Sequence, residues 1–275
     1  MRVALVQMRS GIDPNSNAAF LVKAIKEAAI GGAGIVFTPE MSGLLDRDRA
    51  RAGLHIADED DDVVLAKVRK TAADLGLWVS LGSLALRGGS VGRLVNRSIL
   101  IDARGTIRAR YDKMHLFDVD LSNGESWRES SAYMAGNKAI VVDTPAGKLG
   151  LSICYDLRFP ALYGALSGAG ATILSVPAAF TVPTGLAHWH VLLRARAIEN
   201  AAWVIAAAQC GVHEDGRTTY GHSLVIDPWG GVVLDMGDEC GVGFAEIDQA
   251  RGEDARARIP VLQHRRTIPE PLVLQ

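Results

Sequence analysis

The stretch "GLSICYDLRFP", residues 150–160, combines a buried strand, a cysteine and the start of a helix. Small and branched apolar residues run from Leu149 to Ile153, which is typical of a strand covered on both faces, and the run ends at Cys154. Residues 160–168 then predict a short helix that opens on a proline. A free cysteine is most often a packed apolar thiol, but a cysteine directly after a strand also suits a nucleophile. The spacing alone therefore leaves the core role and the nucleophilic role equally open.

Strand-like and helical patterns alternate along the chain on either side of this stretch. Continuous apolar runs predict strands in "RVALVQM", "GIVFTPE", "WVSLGSLAL", "ATILSVPAAF" and "AWVIAAAQC". Helical periodicity predicts helices over 15–31, 62–75 and 184–200. Strands that alternate with helices in this way predict an α/β fold in which helices cover a sheet.

Two further segments predict antiparallel strand pairs. The segments "RLVNRSILID" and "GTIRARYDKMHLF" are joined only by the short turn "DARG", so they must be antiparallel neighbours. The segment "GHSLVIDPWGGVVLDMG" predicts a hairpin whose turn is formed by residues 227–230. The sheet is therefore expected to be mixed.

The composition is that of an ordinary globular protein and argues against several function classes. The chain has 275 residues, 48% of them hydrophobic, and residues 1–275 are expected to form a single domain. Lys and Arg number 29 against 31 Asp and Glu, which gives a net charge of -2. A chain with this charge has no excess positive potential to attract nucleic acid or an anionic membrane. No apolar run has the length of a membrane span or of a signal peptide. We expect a cytoplasmic protein that acts on a small molecule.

The cysteines and histidines show no familiar disulfide or metal-binding spacing. Cys154, Cys210 and Cys240 are far apart in the chain and lack CxxC spacing. Cys210 ends an apolar run and is expected in the core, whereas Cys240 lies in a polar turn and is expected to be exposed and oxidisable. The "HWH" at 188–190 suggests a metal site, but positions i and i+2 of a helix diverge by about 200°. We therefore predict no metal and no cofactor.

Three reactive side chains follow predicted strands directly. Glu40 follows "GIVFTP", Lys113 follows "TIRARYD" and Cys154 follows "LGLSI". Ligands of open α/β sheets bind at the carboxyl ends of the strands, so the three side chains are candidates for one site. A thiol needs a base or a cation to become a competent nucleophile, and Glu40 and Lys113 offer both. The backbone N–H of Tyr155 is placed to form part of an oxyanion hole.

These segments resemble the nitrilase superfamily of carbon–nitrogen hydrolases. The blocks "GIVFTPE", "RARYDKMHLF" and "GLSICYDLRFP" occur in the family's order, and "VPAAFTVPTGLAHWHVLLRARAIEN", "AAAQCG" and "YGHSLVIDPWG" extend the likeness over nearly the whole chain. The resemblance places the family's Glu–Lys–Cys triad on Glu40, Lys113 and Cys154. It also matches Glu129, in "WRESSAYMAGN", to a second family glutamate that positions the lysine. The nearby Glu125 lacks that motif context.

The resemblance implies a fold, an assembly and a reaction. The fold is an α-β-β-α sandwich with two mixed sheets flanked by helices, paired as a homodimer through helices after Cys154. The reaction is hydrolysis of a small-molecule amide to a carboxylic acid, with ammonia or an amine as the leaving group, through a thioester on Cys154 and without metal or cofactor. Three segments are most similar to the branch of the family that acts on deaminated glutathione, namely "AAAQCG", "YGHSLVIDPWG" and "PVLQHRR". Alternatives are an ω-amidase acting on α-ketoglutaramate and an N-carbamoyl amidohydrolase. Ala161 departs from the pattern, because relatives commonly carry Glu there.

Six residues near the ends of the last strands are candidates for the border of the substrate pocket. They are Tyr155, Arg158, Phe180, Thr181, His188 and Trp189. For Arg158, an ion pair that holds the loop is as good an interpretation as binding of a substrate carboxylate.

Two other hypotheses remain open at this point. A papain-like scheme would use His115, His188 or His222 as the base for Cys154. A non-enzymatic interaction protein that retains a hydrolase fold is the second, although the presence of all three reactive residues favours an enzyme.

Overall fold

The computed structural model describes residues 1–88, 92–120, 124 and 126–274, and two six-stranded sheets dominate it. The strands of the described residues are β1 Arg2–Gln7, β2 Ile35–Phe37, β3 Trp78–Arg87, β4 Leu94–Ile101, β5 Ile107–Asp112, β6 Asp118–Asp120, β7 Ser126–Arg128, β8 Val141–Thr144, β9 Gly147–Leu151, β10 Ile173–Ser175, β11 Trp203–Ala206, β12 Cys210–Val212, β13 Thr218–Tyr220, β14 Leu224–Ile226, β15 Val232–Asp235 and β16 Gly241–Glu246. The helices are α1 Pro14–Ile30, α2 Arg49–Gly53, α3 Val63–Leu75, α4 Pro160–Gly168, α5 Val182–Asn200 and α6 Gln249–Arg258.

Both large sheets are mixed, as the short turns predict. The first has the order β16-β1-β2-β3-β4-β5, and the second has the order β15-β14-β11-β10-β9-β8. In the first sheet β1, β2 and β3 are parallel, while β16, β4 and β5 pair antiparallel at the two sides. The second sheet repeats this plan with β9, β10 and β11 as its parallel centre.

The two sheets pack face to face, and helices cover their outer faces. In β1, Val3 and Leu5 belong to the core shared with the second sheet, whereas Ala4 and Val6 belong to the core under α1 and α3. This alternation follows from the two-residue period of a strand, which directs successive side chains to opposite faces. The predicted α-β-β-α sandwich is confirmed.

Local sequence signals fix several element boundaries. Helix α1 begins at Pro14 because the Asp13 side chain accepts the N–H groups of Asn15 and Ser16, and proline suits the first helical position. The hairpin β14–β15 turns where predicted, since the Asp227 carboxylate accepts the N–H groups of Trp229 and Gly231. No helix in the described part of the chain has the length and apolar character needed to cross a bilayer.

Candidate active site

Four predicted side chains meet in one cavity between the ends of the two sheets. Glu40 lies three positions after β2, and Cys154 lies three positions after β9. Lys113 directly follows β5, and Glu129 directly follows β7. All four line the same cavity, which has a volume of about 670 Å³. Lys113 Nζ lies 2.9 Å from Glu40 Oε1 and 2.8 Å from Glu129 Oε2. Glu125, the alternative to Glu129, lies outside the described residues.

Glu40 is held by donors from three segments. The side-chain amide of Asn96 donates to Glu40 Oε1 at 2.9 Å, and the backbone N–H of Ala179 donates to Oε2 at 3.0 Å. Gln209 fixes the backbone on the other side, since its Nε2 donates to the Glu40 carbonyl at 2.9 Å. The carboxylate is therefore rigidly oriented between the lysine and the thiol.

Lys113 is a permanent cation in a buried site. Burial alone would lower the pKa of Lys113, but the carboxylates of Glu129 and Glu40 outweigh burial and raise the pKa well above its usual value. Glu129 is itself fixed, because its Oε2 accepts the backbone N–H of Phe117 at 2.7 Å. The lysine can therefore stabilise negative charge, and it cannot act as a neutral base.

Cys154 has a strained backbone and a protonated thiol. Its φ of 48° is in the left-handed region that non-glycine residues rarely adopt, and such strain is common at functional positions. Its N–H donates to the carbonyl of Pro177 at 2.9 Å. Burial, and next the Glu40 carboxylate, raise the pKa of the Cys154 thiol well above its usual value, against smaller opposite effects of Lys113 and the Ala179 N–H. Glu40 and Cys154 line the same cavity, and the effect of the Glu40 carboxylate on the thiol pKa places a base beside the thiol.

Asp156 anchors the turn that follows Cys154. Its buried carboxylate accepts the N–H of Ile153 at 2.8 Å, the N–H of His115 at 3.0 Å and the hydroxyl of Tyr111 at 2.7 Å. Sequence reasoning assigned no role to Asp156 or to Asn96. Asp156 stands inside the "CYDLRFP" stretch, but nothing in the sequence indicates that its three donors converge there.

The cavity has a cationic wall. Among the described residues its lining contains six arginines, against three acidic residues, Glu40, Asp46 and Glu129. The arginines are Arg47, Arg49, Arg87, Arg128, Arg158 and Arg217. Such a lining favours an anionic small molecule.

The chain is similar to known proteins over nearly its whole length. A profile of the family described as carbon-nitrogen hydrolase matches residues 2–257. This chain is a carbon–nitrogen hydrolase. It is 41% identical over 268 residues to the deaminated glutathione amidase of Yersinia enterocolitica, a match that covers 97% of this chain and 93% of that protein.

Two solved structures share the fold of this hydrolase. The NitFhit protein of C. elegans has a TM-score of 0.89 at 40% identity, and the match covers 96% of this chain but 65% of that longer chain. A glutamate-to-glutamine mutant of an amidase from Nesterenkonia sp. AN1, with acrylamide added at its active-site cysteine, has a TM-score of 0.79 at 27% identity, and the match covers 94% of this chain and 98% of that chain.

Four of the six candidate border residues of this hydrolase line the cavity, namely Tyr155, Arg158, Phe180 and Thr181. The structure does not bring the other two to it. Trp189 is fully buried, packs against Phe180 and donates its indole N–H to the carbonyl of His222 at 2.8 Å. His188 lies outside, where its Nδ1 is 3.2 Å from Arg158. Among the described residues Arg158 contacts His188 and forms no ion pair, and both interpretations of its role stay predictions.

The histidines proposed for a papain-like scheme have other contacts. His115 Nδ1 lies 2.7 Å from Asp156, and its ring stacks on Phe159 with centroids 3.7 Å apart. His222 contacts Asp235 through its Nδ1 at 2.9 Å. The described residues that line the cavity beside Cys154 include no histidine, so the papain-like scheme has no base there.

The two remaining cysteines of this hydrolase lie side by side. Cys210 is buried as predicted and Cys240 is exposed as predicted, but their sulfur atoms lie 2.8 Å apart. The sequence does not indicate this contact, because the two residues are 30 positions apart. Cys210 begins β12, whereas Cys240 lies between β15 and β16.

Proposed function

We propose that this carbon–nitrogen hydrolase cleaves deaminated glutathione through a thioester on Cys154. The observation that carries the proposal is the contact of Glu40 with both Lys113 and the Cys154 thiol in a cavity large enough for a small amide. The name of the Yersinia enterocolitica relative supports the substrate. The acrylamide adduct of the Nesterenkonia amidase supports a reactive cysteine at the equivalent site.

In the proposed first step Glu40 takes the thiol proton while Cys154 Sγ attacks the amide carbonyl carbon. The oxygen of the tetrahedral intermediate becomes negative and is stabilised by the Lys113 ammonium and the Tyr155 N–H. The C–N bond then breaks as Glu40 returns the proton to the leaving nitrogen, which leaves a thioester on Cys154.

In the proposed second step water hydrolyses the thioester. Glu40 takes a proton from the water, whose oxygen attacks the thioester carbonyl, and Glu40 returns the proton to the sulfur as the C–S bond breaks, which releases the carboxylic acid and restores the thiol. Glu129 is a positioning residue in this scheme, because it contacts Lys113 rather than the thiol. Its charge keeps Lys113 paired whenever Glu40 is protonated.

The choice between the two candidate substrates depends on the leaving group. Deaminated glutathione and α-ketoglutaramate carry the same acyl group and would give the same thioester. The first releases cysteinylglycine, an amine, and the second releases ammonia. A cavity of about 670 Å³ is in the range that holds drug-sized ligands, and its arginines can pair with the carboxylates at both ends of deaminated glutathione. These features favour the longer substrate over α-ketoglutaramate and over N-carbamoyl acids.

The test compares kcat/KM for deaminated glutathione, α-ketoglutaramate and an N-carbamoyl amino acid, with acyl-enzyme followed by intact mass. We expect a preference of at least about tenfold for deaminated glutathione, corresponding to roughly 1.4 kcal/mol of transition-state binding. Cys154→Ala should abolish turnover and the adduct, whereas Cys210→Ser should retain both. A preference for α-ketoglutaramate would make the protein an ω-amidase. Absence of product and adduct with all three would favour the non-enzymatic interaction protein.

We also propose a cytoplasmic homodimer that pairs through α5. Val191 and Ile198 are seven positions apart, share one face of the helix and are 67% and 51% exposed. Trp229, 58% exposed on the hairpin turn next to Ile198, extends the apolar surface. Analytical ultracentrifugation of Ile198→Glu should then show a shift from dimer to monomer, and an unchanged sedimentation coefficient would refute this interface.

A further inference from the structure

We propose that His190, His222 and Asp235 form a binding site for a divalent transition metal of the zinc type. Their ligand atoms all lie within 4.8 Å of one another. None of the three is among the described residues that line the active-site cavity, so the cluster is separate from the catalytic machinery. The proposal therefore stands independently of the proposed substrate.

Each ligand comes from a different element. His190 is on α5 and points its Nε2 at Asp235 Oδ2, 3.0 Å away. His222 follows β13 and points its Nδ1 at Asp235 Oδ1, 2.9 Å away. Asp235 is the last residue of β15. One ion would thus link helix α5, the end of strand β15 and the loop that follows strand β13.

The donor set and spacing suit zinc. Imidazole nitrogen and carboxylate oxygen are common zinc ligands at about 2.0–2.2 Å, so ligand atoms on one tetrahedral ion lie roughly 3.3–3.5 Å apart. The three ligand atoms lie within 4.8 Å of one another, and the two imidazole nitrogens are 3.0 and 2.9 Å from the Asp235 carboxylate. Two histidines with one carboxylate is also a combination found in zinc enzymes, where an open position holds water.

Asp238 provides the outer contact that metal-bound histidines usually have. His222 Nε2, on the opposite side of the ring from Asp235, lies 3.3 Å from Asp238 Oδ1. A neutral His222 that donates from Nε2 to Asp238 presents an unprotonated Nδ1 to the ion, and such carboxylate–histidine pairs orient and strengthen metal ligands. Binding then needs only a change of tautomer in each ring.

The backbone of His222 is built to hold the ring in place. Its φ of 52° is a left-handed conformation that costs energy for a residue other than glycine. Its N–H donates to the carbonyl of Gly237 at 2.7 Å, and its carbonyl accepts the Trp189 indole N–H at 2.8 Å. The Tyr220 ring stacks on the imidazole with centroids 4.5 Å apart. This preorganisation reduces the entropy that metal binding would otherwise cost.

This site differs from the "HWH" pattern of the sequence. His188 and His190 do diverge, since His188 faces Arg158 while His190 faces Asp235. The partners of His190 come instead from positions more than thirty residues away in the chain. The expectation of no metal rested on sequence neighbours alone, and the proposed site is formed by the fold.

The experiment titrates the full-length protein, stripped with a chelator, with ZnCl2 by calorimetry and with CoCl2 by visible absorption. We expect about one Zn²⁺ per chain and a rise in Tm on binding. His190→Ala and Asp235→Asn should each weaken binding at least about tenfold, and Asp238→Asn should weaken it about tenfold through the outer contact. His188→Ala, on the same helix, should bind as the unaltered protein does.

Thiols are the competing zinc ligands, and the Co²⁺ spectrum separates them. A site of nitrogen and oxygen ligands lacks the near-ultraviolet charge-transfer band that thiolate ligands give. Zinc that survives His190→Ala but is lost in Cys240→Ser, or failure to bind a stoichiometric ion, would overturn the proposal. The His190 side chain is 33% exposed at the surface of α5, so His190→Ala tests the site even where a His222 variant fails to fold.

Discussion

Lys113 Nζ lies 2.9 Å from Glu40 Oε1, and the two side chains are only 3% and 6% exposed. The same carboxylate raises the pKa of the Cys154 thiol after the larger effect of burial, so one buried glutamate acts on both a cation and a proton donor. Glu129 supplies a second negative charge to the lysine. Glu40 can therefore accept a proton without leaving a buried ammonium unpaired, which is the condition for it to act as a base.

Glu40→Gln should separate thiol acidity from turnover. The Glu40 carboxylate raises the pKa of the Cys154 thiol, and Lys113 lowers it, so removing the carboxylate should lower that pKa. Alkylation of Cys154 by iodoacetamide should then begin at lower pH than in the unaltered protein. Turnover should nevertheless fall by about 10²–10⁴-fold, because the base is lost.

The measurement is the pH profile of alkylation, followed by mass spectrometry at Cys154, beside kcat. The exposed Glu246→Gln serves as a control and should change neither profile. An alkylation profile of Glu40→Gln that moves to higher pH would contradict the proposed electrostatics.

Glu129→Gln should lower kcat by roughly 10–100-fold and leave KM nearly unchanged, because the interaction orients Lys113 for the transition state. The amide of glutamine can still accept the Phe117 N–H but carries no charge for Lys113. The alkylation profile of Cys154 should change little, since Glu129 contacts the lysine and not the thiol. Steady-state kinetics check the first expectation, and a rise in KM with normal kcat would place Glu129 in substrate binding instead.

Much of the fold follows from local sequence patterns. Helix α5 was expected over 184–200 and spans Val182–Asn200, and the hairpin turns at Asp227 as expected. Glu40 and Cys154 could be predicted from the sequence because each follows the carboxyl end of a parallel strand, which is where ligands of such sheets bind.

The remaining contacts depend on register and helix rotation, which sequence patterns do not specify. Asn96 reaches Glu40 from the interior of β4, so its role depends on how β3 and β4 pair. Trp189 is expected at the cavity because it follows the strand ends nearest Cys154, but the rotation of α5 directs its ring into the core. Cys210 and Cys240 meet only because a distant loop folds back beside β12.

The Asp156 carboxylate should be a strong determinant of stability. Asp156→Asn removes a buried anion that accepts from Tyr111 and two backbone N–H groups and also contacts the His115 ring, and it introduces an N–H group among them, so we expect a loss of about 2–4 kcal/mol in the free energy of unfolding. Tyr111→Phe removes one donor and should cost about 1 kcal/mol. The exposed Ser126→Ala should stay within about 0.5 kcal/mol. Urea unfolding measures all three, and equal stabilities of Asp156→Asn and Ser126→Ala would contradict the anchor.

Cys210 and Cys240 should form a disulfide when the protein is oxidised. The hydrogen bond from Cys210 is the largest effect that lowers the pKa of Cys240 to about 7, so a large fraction of this exposed thiol is thiolate at neutral pH. Hydrogen peroxide would oxidise the thiolate to a sulfenic acid and be reduced to water. The adjacent Cys210 sulfur would then displace water from the sulfenic acid to give the disulfide.

The check is peptide mapping after mild peroxide treatment. We expect a cross-linked peptide pair containing Cys210 and Cys240, a loss of two hydrogen atoms from the chain, and reversal by dithiothreitol. Cys240→Ser should abolish the cross-link, whereas Cys154→Ala should leave it intact. Because Gln209 beside Cys210 holds the Glu40 carbonyl, the disulfide should also change kcat. Oxidation that stops at sulfinic acid on Cys240, with Cys210 unmodified, would show that the two sulfurs do not meet in solution.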